Sequence, residues 1–285
     1  MRHVTGMERF WTEMDAENMN TRTKPCVLVF SGLDPSGGAG VMADIEAIGA
    51  VGAHALPVIT ALTVQDNDRV YAVNPVDASI LAHQAQVLIE KIPVAAVKIG
   101  IVGNRENALA ICEAIAMLRK KRPDMPVVLD TVLGSGHGFA LTDGVPEYAL
   151  SPLIGVATLV TPNLPEARRL YPLSDDIGKQ AASLMEQGAA NVLVKGGHGD
   201  DERLVFNDWY GADGVKRWQW PRLDGEFHGT GCTLASAIAG YLAQGRSMED
   251  AILHGQIWCQ QALANAFSVA KGQQIPGRVG TYQGK

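Results

Sequence analysis

The chain has 285 residues, 47% of them hydrophobic, with 24 basic against 30 acidic side chains and a formal charge of −6. That balance excludes a nucleic-acid surface, which is ordinarily basic, and no stretch approaches the ~20 uninterrupted apolar residues that a membrane span needs. Its 4 cysteines are far apart, with no C-x-x-C and no His partner at ligand spacing, which excludes a disulfide framework and a cysteine-based metal centre.

Residues 1–24, MRHVTGMERFWTEMDAENMNTRTK, contain acids and no apolar core, so they read as a flexible extension rather than a secretion signal. The cytoplasm is the expected compartment. From residue 25 to 285 one domain is expected, since no repeat, low-complexity tract or linker divides the chain. Short apolar runs recur at 26–30, 55–62, 95–102, 126–130, 157–162 and 191–195, continuous rather than alternating, as in strands covered on both faces. Helical stretches lie between them. Over 77–92 the spacing predicts Ile80, Ala85, Leu88 and Ile92 on the inner side; over 107–122 it predicts Leu109, Ile111, Ile115 and Leu118. Strand and helix alternating in this way give right-handed crossovers and a mostly parallel, doubly wound sheet. RLVFNDWYGADGVKRWQW (203–220) breaks the pattern and predicts an antiparallel edge hairpin, and two helices, about 229–244 and 247–267, close the fold.

Ligands of open α/β sheets collect beyond the carboxyl ends of the strands, and the chemistry-bearing residues of this chain follow its apolar runs. SGLDPSGGAG (31–40) opens a helix near Val41, where backbone N–H groups can hold an anion, but it matches neither G-x-x-x-x-G-K-[ST] nor G-x-G-x-x-G. Asp44, one turn into that helix, either answers the helix dipole or faces the cleft. Gln65 ends a strand with an amide able to read a heterocycle edge. Asp130 ends the run PVVLD, where a buried carboxylate needs a metal, a base role or a capping partner. Asn163 and Glu166 sit three apart in TPNLPEA, the spacing of a capping box and also of an amide and carboxylate able to organise a hydrated Mg²⁺.

VKGGHG (194–199) ends another strand with Lys195, suited to a phosphate tail, and His198, which reads as a solvated turn residue. In HGTGCTLASAIAG (228–240), Gly229, Thr230 and Gly231 lead Cys232 into a helix start. Consecutive N–H groups there suit charge developing on a transferred phosphate. The same field is expected to lower the thiol pKa toward neutrality and make Cys232 a base, the alternative being an inert buried thiol. Cys26, Cys112 and Cys259 lie in apolar periodic segments and read as small core residues.

Taken in order, SGLDPSGGAGVMAD, VITALTVQ, VKIGIV, VVLDTV, TPNLPEA, VLVKGGH and HGTGCTLASAIA resemble the motifs of hydroxymethylpyrimidine/phosphomethylpyrimidine kinases, a thiamine-pathway family of the ribokinase-like superfamily. The resemblance runs from about residue 26 to 270. It implies an αβα sandwich of ribokinase-like type, ATP with Mg²⁺, a small pyrimidine substrate and a homodimer. By the same likeness the pyrimidine falls to backbone near Gly32, to Asp44, Gln65 and the pocket wall at Ile101. ATP falls to Lys195, Asn163, Glu166, Asp130 and Thr230, the metal to Asp130 and Glu166, and the catalytic base to Cys232 within the Gly229-Thr230-Gly231 hole. The implied reaction is phosphorylation of 4-amino-5-hydroxymethyl-2-methylpyrimidine and of its monophosphate. Pyridoxal kinase, or a pyrimidine sensor without turnover, are the alternatives. The chain departs from the family's pattern in TVLGSGHGFAL after Asp130, with His137 but no lysine, in Ile101, where methionine is frequent, and in a tail without Gly-Pro-x-x-His.

Overall fold

The computed structural model describes residues 23–134, 141 and 145–279. Most of the expected N-terminal extension, and most of the 133–142 segment with His137, lie outside these residues. Apolar, β-branched runs form the expected strands: β1 (Cys26–Leu33), β2 (His54–Gln65), β4 (Val94–Ile99), β5 (Val127–Leu129), β6 (Leu159–Val160) and β7 (Val192–Val194). The hairpin β8 (Leu204–Gly211) and β9 (Gly214–Pro221) turns at Ala212-Asp213 as expected. One strand, β3 (Val70–Pro75), was not foreseen; it pairs antiparallel with β2, so the sheet ends antiparallel on both sides. The nine strands run β3-β2-β1-β4-β5-β6-β7-β8-β9, parallel from β2 to β7.

Helices cover both faces. On one side lie α2 (Ala78–Lys91), α3 (Arg105–Lys121), α4 (Pro146–Ile154), α5 (Leu164–Leu170) and α6 (Ile177–Glu186). On the other lie α1 (Gly40–Ala50), α7 (Thr230–Ala243) and α8 (Met248–Ala264). Side-chain oxygens of Asp77, Asn104, Asn163, Asp176 and Ser247 each accept an N–H at a helix start, which fixes where α2, α3, α5, α6 and α8 begin. The inner stripe of α2 is Leu81, Ala85 and Ile89, with Leu88 and Ile92 partly buried against the core; Ile80, expected inward, is 52% exposed at the edge of that stripe. Leu109 likewise points out of α3, and Ala108 and Ala114 join Ile111, Ile115 and Leu118 inside.

The chain leaves β1 for β2 on one side and returns to β4 on the other. The loops after β1 and β4 therefore diverge and open a crevice at this reversal, where ligands of such sheets bind. A register shift at Ser31/Gly32 interrupts the regular β1–β2 pairing near the end of β1. No helix among the described residues is long and apolar enough to cross a membrane.

Candidate active site

Two glycine-rich turns meet over the crevice. In the first, after β1, Asp34 is buried and ties the turn to itself: its carboxylate accepts the N–H of Ser36 at 2.8 Å and of Ala39 at 2.7 Å. It also meets His228 Nε2 at 2.8 Å, which fastens this turn to the second, at the start of α7. Burial alone would raise the Asp34 carboxyl, but His228 and the Ser36 N–H outweigh it and hold the group below its ordinary value. Gly40 and Gly229 are left-handed, with φ of 57° and 82°, and both lie where another chain segment passes close. A Cβ on Gly40 would strike the carbonyl of Gly32 at the end of β1, and one on Gly229 the carbonyl of Gly38, so glycine at 229 is what lets the start of α7 lie against the turn leading into α1.

α1 and α7 consequently begin side by side, each with its first N–H groups free of intrahelical acceptors. Cys232 lies in that first turn of α7, buried, with the Gly40 N–H near enough to favour its thiolate slightly. The expected lowering of its pKa is not what the site produces. Burial pushes the thiol up to about 11, and Lys98 and the helix start only partly offset that cost because Asp44 and Asp130 add negative charge nearby.

Beneath the thiol lies a side chain that was not singled out from the sequence. Lys98 of β4 is fully buried and donates to Asp44 Oδ1 at 2.7 Å. The same oxygen accepts the Ser236 hydroxyl at 2.7 Å. Asp44 is the counter-ion of a buried ammonium, without which Lys98 could not stay charged inside the sheet. Asp44 Oδ2 and Ser31 Oγ are buried without partners. The signal for Lys98 was available, since a lysine inside a run covered on both faces demands a partner.

The other two carboxylates lie near one ammonium, that of Lys195. Asp130, just past β5, takes Lys195 Nζ at 2.7 Å and the Thr161 hydroxyl at 3.1 Å. Asn163 and Glu166 form a capping box at α5: Glu166 N–H donates to Asn163 Oδ1 and Asn163 N–H to Glu166 Oε2, both at 2.8 Å. Glu166 Oε2 also accepts the Thr131 hydroxyl at 3.1 Å. Burial pushes the Glu166 carboxyl up, Lys195 pulls it down, and Asp130 adds to the rise. A Cβ on Gly231 would lie 3.1 Å from Lys195 Nζ and 3.3 Å from Asp130 Oδ2, so the start of α7 rests on this pair.

Among the described residues no cluster of three or more His, Cys, Asp or Glu side chains forms a metal cage. Two carboxylates against one ammonium still leave negative charge in excess, and Mg²⁺ needs only one or two carboxylates when phosphates and water complete its shell. Asp130 and Glu166 therefore fit a cation that arrives with a nucleotide, not one resident in the protein.

Lys195 and Thr230 also line a cavity of about 540 Å³, within the range of small-molecule sites. Its apolar walls include Trp220, Phe227 and Leu263, which the sequence did not reveal because they come from three separate segments. His198 is an exposed turn residue, as expected, and it also lines this cavity. Ile101, which does not line this cavity, packs 3.5 Å from where a Gly32 Cβ would stand, within a small cluster with Ala61 and Leu141. Gln65 sits half-buried at the end of β2 with no side-chain hydrogen bond among the described residues, separate from the bonded clusters.

Residues 34–276 match the family described as phosphomethylpyrimidine kinase. The chain is 34% identical over 256 residues to the hydroxymethylpyrimidine/phosphomethylpyrimidine kinase of Escherichia coli, covering 87% of this chain and 94% of that protein. It is 37% identical over 255 residues to the thiamine biosynthesis bifunctional protein ThiED of Geobacter sulfurreducens, covering 86% of this chain but only 50% of that larger protein. Among solved structures, the phosphomethylpyrimidine kinase of Clostridium difficile superposes with a TM-score of 0.71 at 34% identity, over 84% of this chain and 99% of that one. The pyridoxal kinase of Staphylococcus aureus in complex with AMP-PCP gives a TM-score of 0.80 at 26% identity, over 91% and 95%.

Proposed function

The chain belongs to the phosphomethylpyrimidine kinase family, and we propose that it uses ATP to phosphorylate 4-amino-5-hydroxymethyl-2-methylpyrimidine, and then the monophosphate, in thiamine biosynthesis. The observation behind this reading is the meeting of a thiol, an Asp–Lys pair and a nucleotide-sized cavity at the start of one helix. The shape of the fold does not separate pyrimidine from pyridoxal acceptors, since both kinds of kinase superpose on it; the higher sequence identity favours the pyrimidine.

In this reading the cavity beside Lys195 and Thr230 takes the nucleotide, and Lys195 turns from Asp130 to the phosphate tail. Asp130 and Glu166, the latter held in place by Asn163, would be the protein's ligands to a Mg²⁺ brought by the nucleotide, which when bound would neutralise charge on the phosphates. The pyrimidine lies against Gly32 and Ile101, with the Gln65 amide free to pair with its edge, while Asp44 supports the floor through Lys98. As the hydroxymethyl oxygen bonds to the γ-phosphorus and the bond to ADP breaks, the Cys232 thiolate takes the hydroxyl proton. The N–H groups of Thr230, Gly231 and Cys232 hold the charge on the transferred group. The second step attacks with a phosphate oxygen already ionised, so it needs the hole but not the thiolate.

A cytoplasmic homodimer belongs to the same proposal. The feature behind the dimer is Leu62 and Val64, which share the outer face of β2 near the sheet edge and are 48% and 53% exposed. Incubation with Mg²⁺–ATP and either the pyrimidine or pyridoxal, with products identified by mass, tests the function. The pyrimidine mono- and diphosphates are expected. Pyridoxal phosphate alone would move the assignment to the other vitamin, and tight pyrimidine binding without product would make the protein a sensor.

A further inference from the structure

The segment after α8 is woven around the rim of the site. Gln274 exchanges backbone bonds with the turn before the hole, accepting the His228 N–H and donating to the Glu226 carbonyl, both at 2.8 Å. Ile275 pairs with Phe267, and the Gly277 N–H donates to Ala262 O at 2.8 Å. Asn67 Nδ2, in the turn that follows Gln65, donates to Gln273 O at 3.1 Å. This strap delivers Arg278, 4% exposed, between the two glycine turns. Its Nε donates to Thr233 Oγ1 at 2.8 Å, Nη1 to Glu46 Oε2 at 3.2 Å, and Nη2 to the carbonyl of Gly38. Thr233 passes the constraint on, its hydroxyl donating to Gly229 O at 2.8 Å. One planar fork thus holds the end of the first glycine turn, helix α1 and the first turn of α7.

We propose that Arg278 is a positioning residue for phosphoryl transfer: by gripping Gly38 and Thr233 at once it sets the separation of the two helix starts that face the transferred group. This rests on the kinase reading above. A donor displaced by about an ångström from a developing charge costs on the order of 10²-fold in rate. Lysine, a point charge without the fork, cannot reach the same three acceptors. Loss of the guanidinium does not strand a buried anion, because Glu46 is 34% exposed and can be hydrated.

The test compares the full-length chain with Arg278→Ala and Arg278→Lys. In Arg278→Ala, kcat is expected to fall about 10- to 10²-fold with KM for ATP changed less than about threefold. Millimolar guanidinium chloride should restore several-fold of that loss, while sodium chloride at equal ionic strength restores none, and Arg278→Lys should behave like the alanine variant. A kcat within twofold of wild type overturns the proposal. So does a loss that guanidinium does not rescue and that comes with faster amide exchange across the whole chain. If the wild type itself yields no phosphorylated product, the kinase reading fails separately, and amide exchange still decides the clamp. Faster exchange confined to 37–40 and 229–233 in Arg278→Ala supports it; unchanged exchange there refutes it.

Discussion

Among the described residues two aspartate–lysine pairs of the same length, 2.7 Å, lie near one thiol, and they differ in access. Lys98 and Asp44 are both fully sealed, whereas Lys195 keeps 13% of its side chain exposed and lines the cavity. A sealed ion pair has no partner to exchange with, and breaking it leaves a bare charge in the interior. A pair at a cavity wall can release its lysine to a phosphate and its carboxylate to a cation at little cost, since water and ligand replace what is lost. Chemical likeness therefore says less about role than access does. On the kinase proposal, one pair is floor and the other machinery.

The thiol near both pairs gives the largest expected effect. Cys232→Ala should slow phosphorylation of the alcohol by about 10²–10⁴-fold, the usual worth of a positioned base, and leave the monophosphate step within a few-fold. Since burial places the thiol at about 11, the wild-type alcohol step should climb up to about tenfold per pH unit from pH 6 to 9, the thiolate fraction growing as pH rises, while the second step stays flat. Equal losses in both steps, or a flat profile for the alcohol, would remove Cys232 as the base.

Next comes the sealed pair. Lys98→Met should cost about 3–5 kcal/mol of unfolding free energy by leaving Asp44 buried and uncompensated, and adding Asp44→Leu should recover much of it. Urea unfolding checks both; an unchanged midpoint in Lys98→Met would erase the distinction between the pairs. The open pair should show the reverse signature. Lys195→Met is expected to lower turnover about 10²–10³-fold, near the value of one lost donor at a developing charge, with a smaller shift in urea midpoint than Lys98→Met. A stability loss as large as that of Lys98→Met would mean that Lys195 too is structural.

The alternation of apolar runs with amphipathic stretches made the parallel sheet and both closing helices readable, because a strand buried on two faces leaves an unbroken run. β3 escaped because VYAVNP is a half-exposed edge strand whose Asn and Pro read as turn residues. Of the site, what announced itself was whatever followed a strand: Asp130, the Asn163–Glu166 capping box, Lys195 and the glycines before Cys232. The thiol's environment was not legible, since a helix start in sequence does not say how deeply it is buried. The cavity walls and Arg278 depend on segments far apart in the chain, and no local pattern marks them.

The grip of Arg278 on Gly38 joins residues 240 positions apart. The central strand and its neighbours hold together through much nearer partners, so on a ribosome most of the sheet can form while the strap is still unmade. The two helix starts are clasped only after the last of these residues emerges. A chain stopped short of it would have most of its sheet but not the contact that joins the two glycine turns.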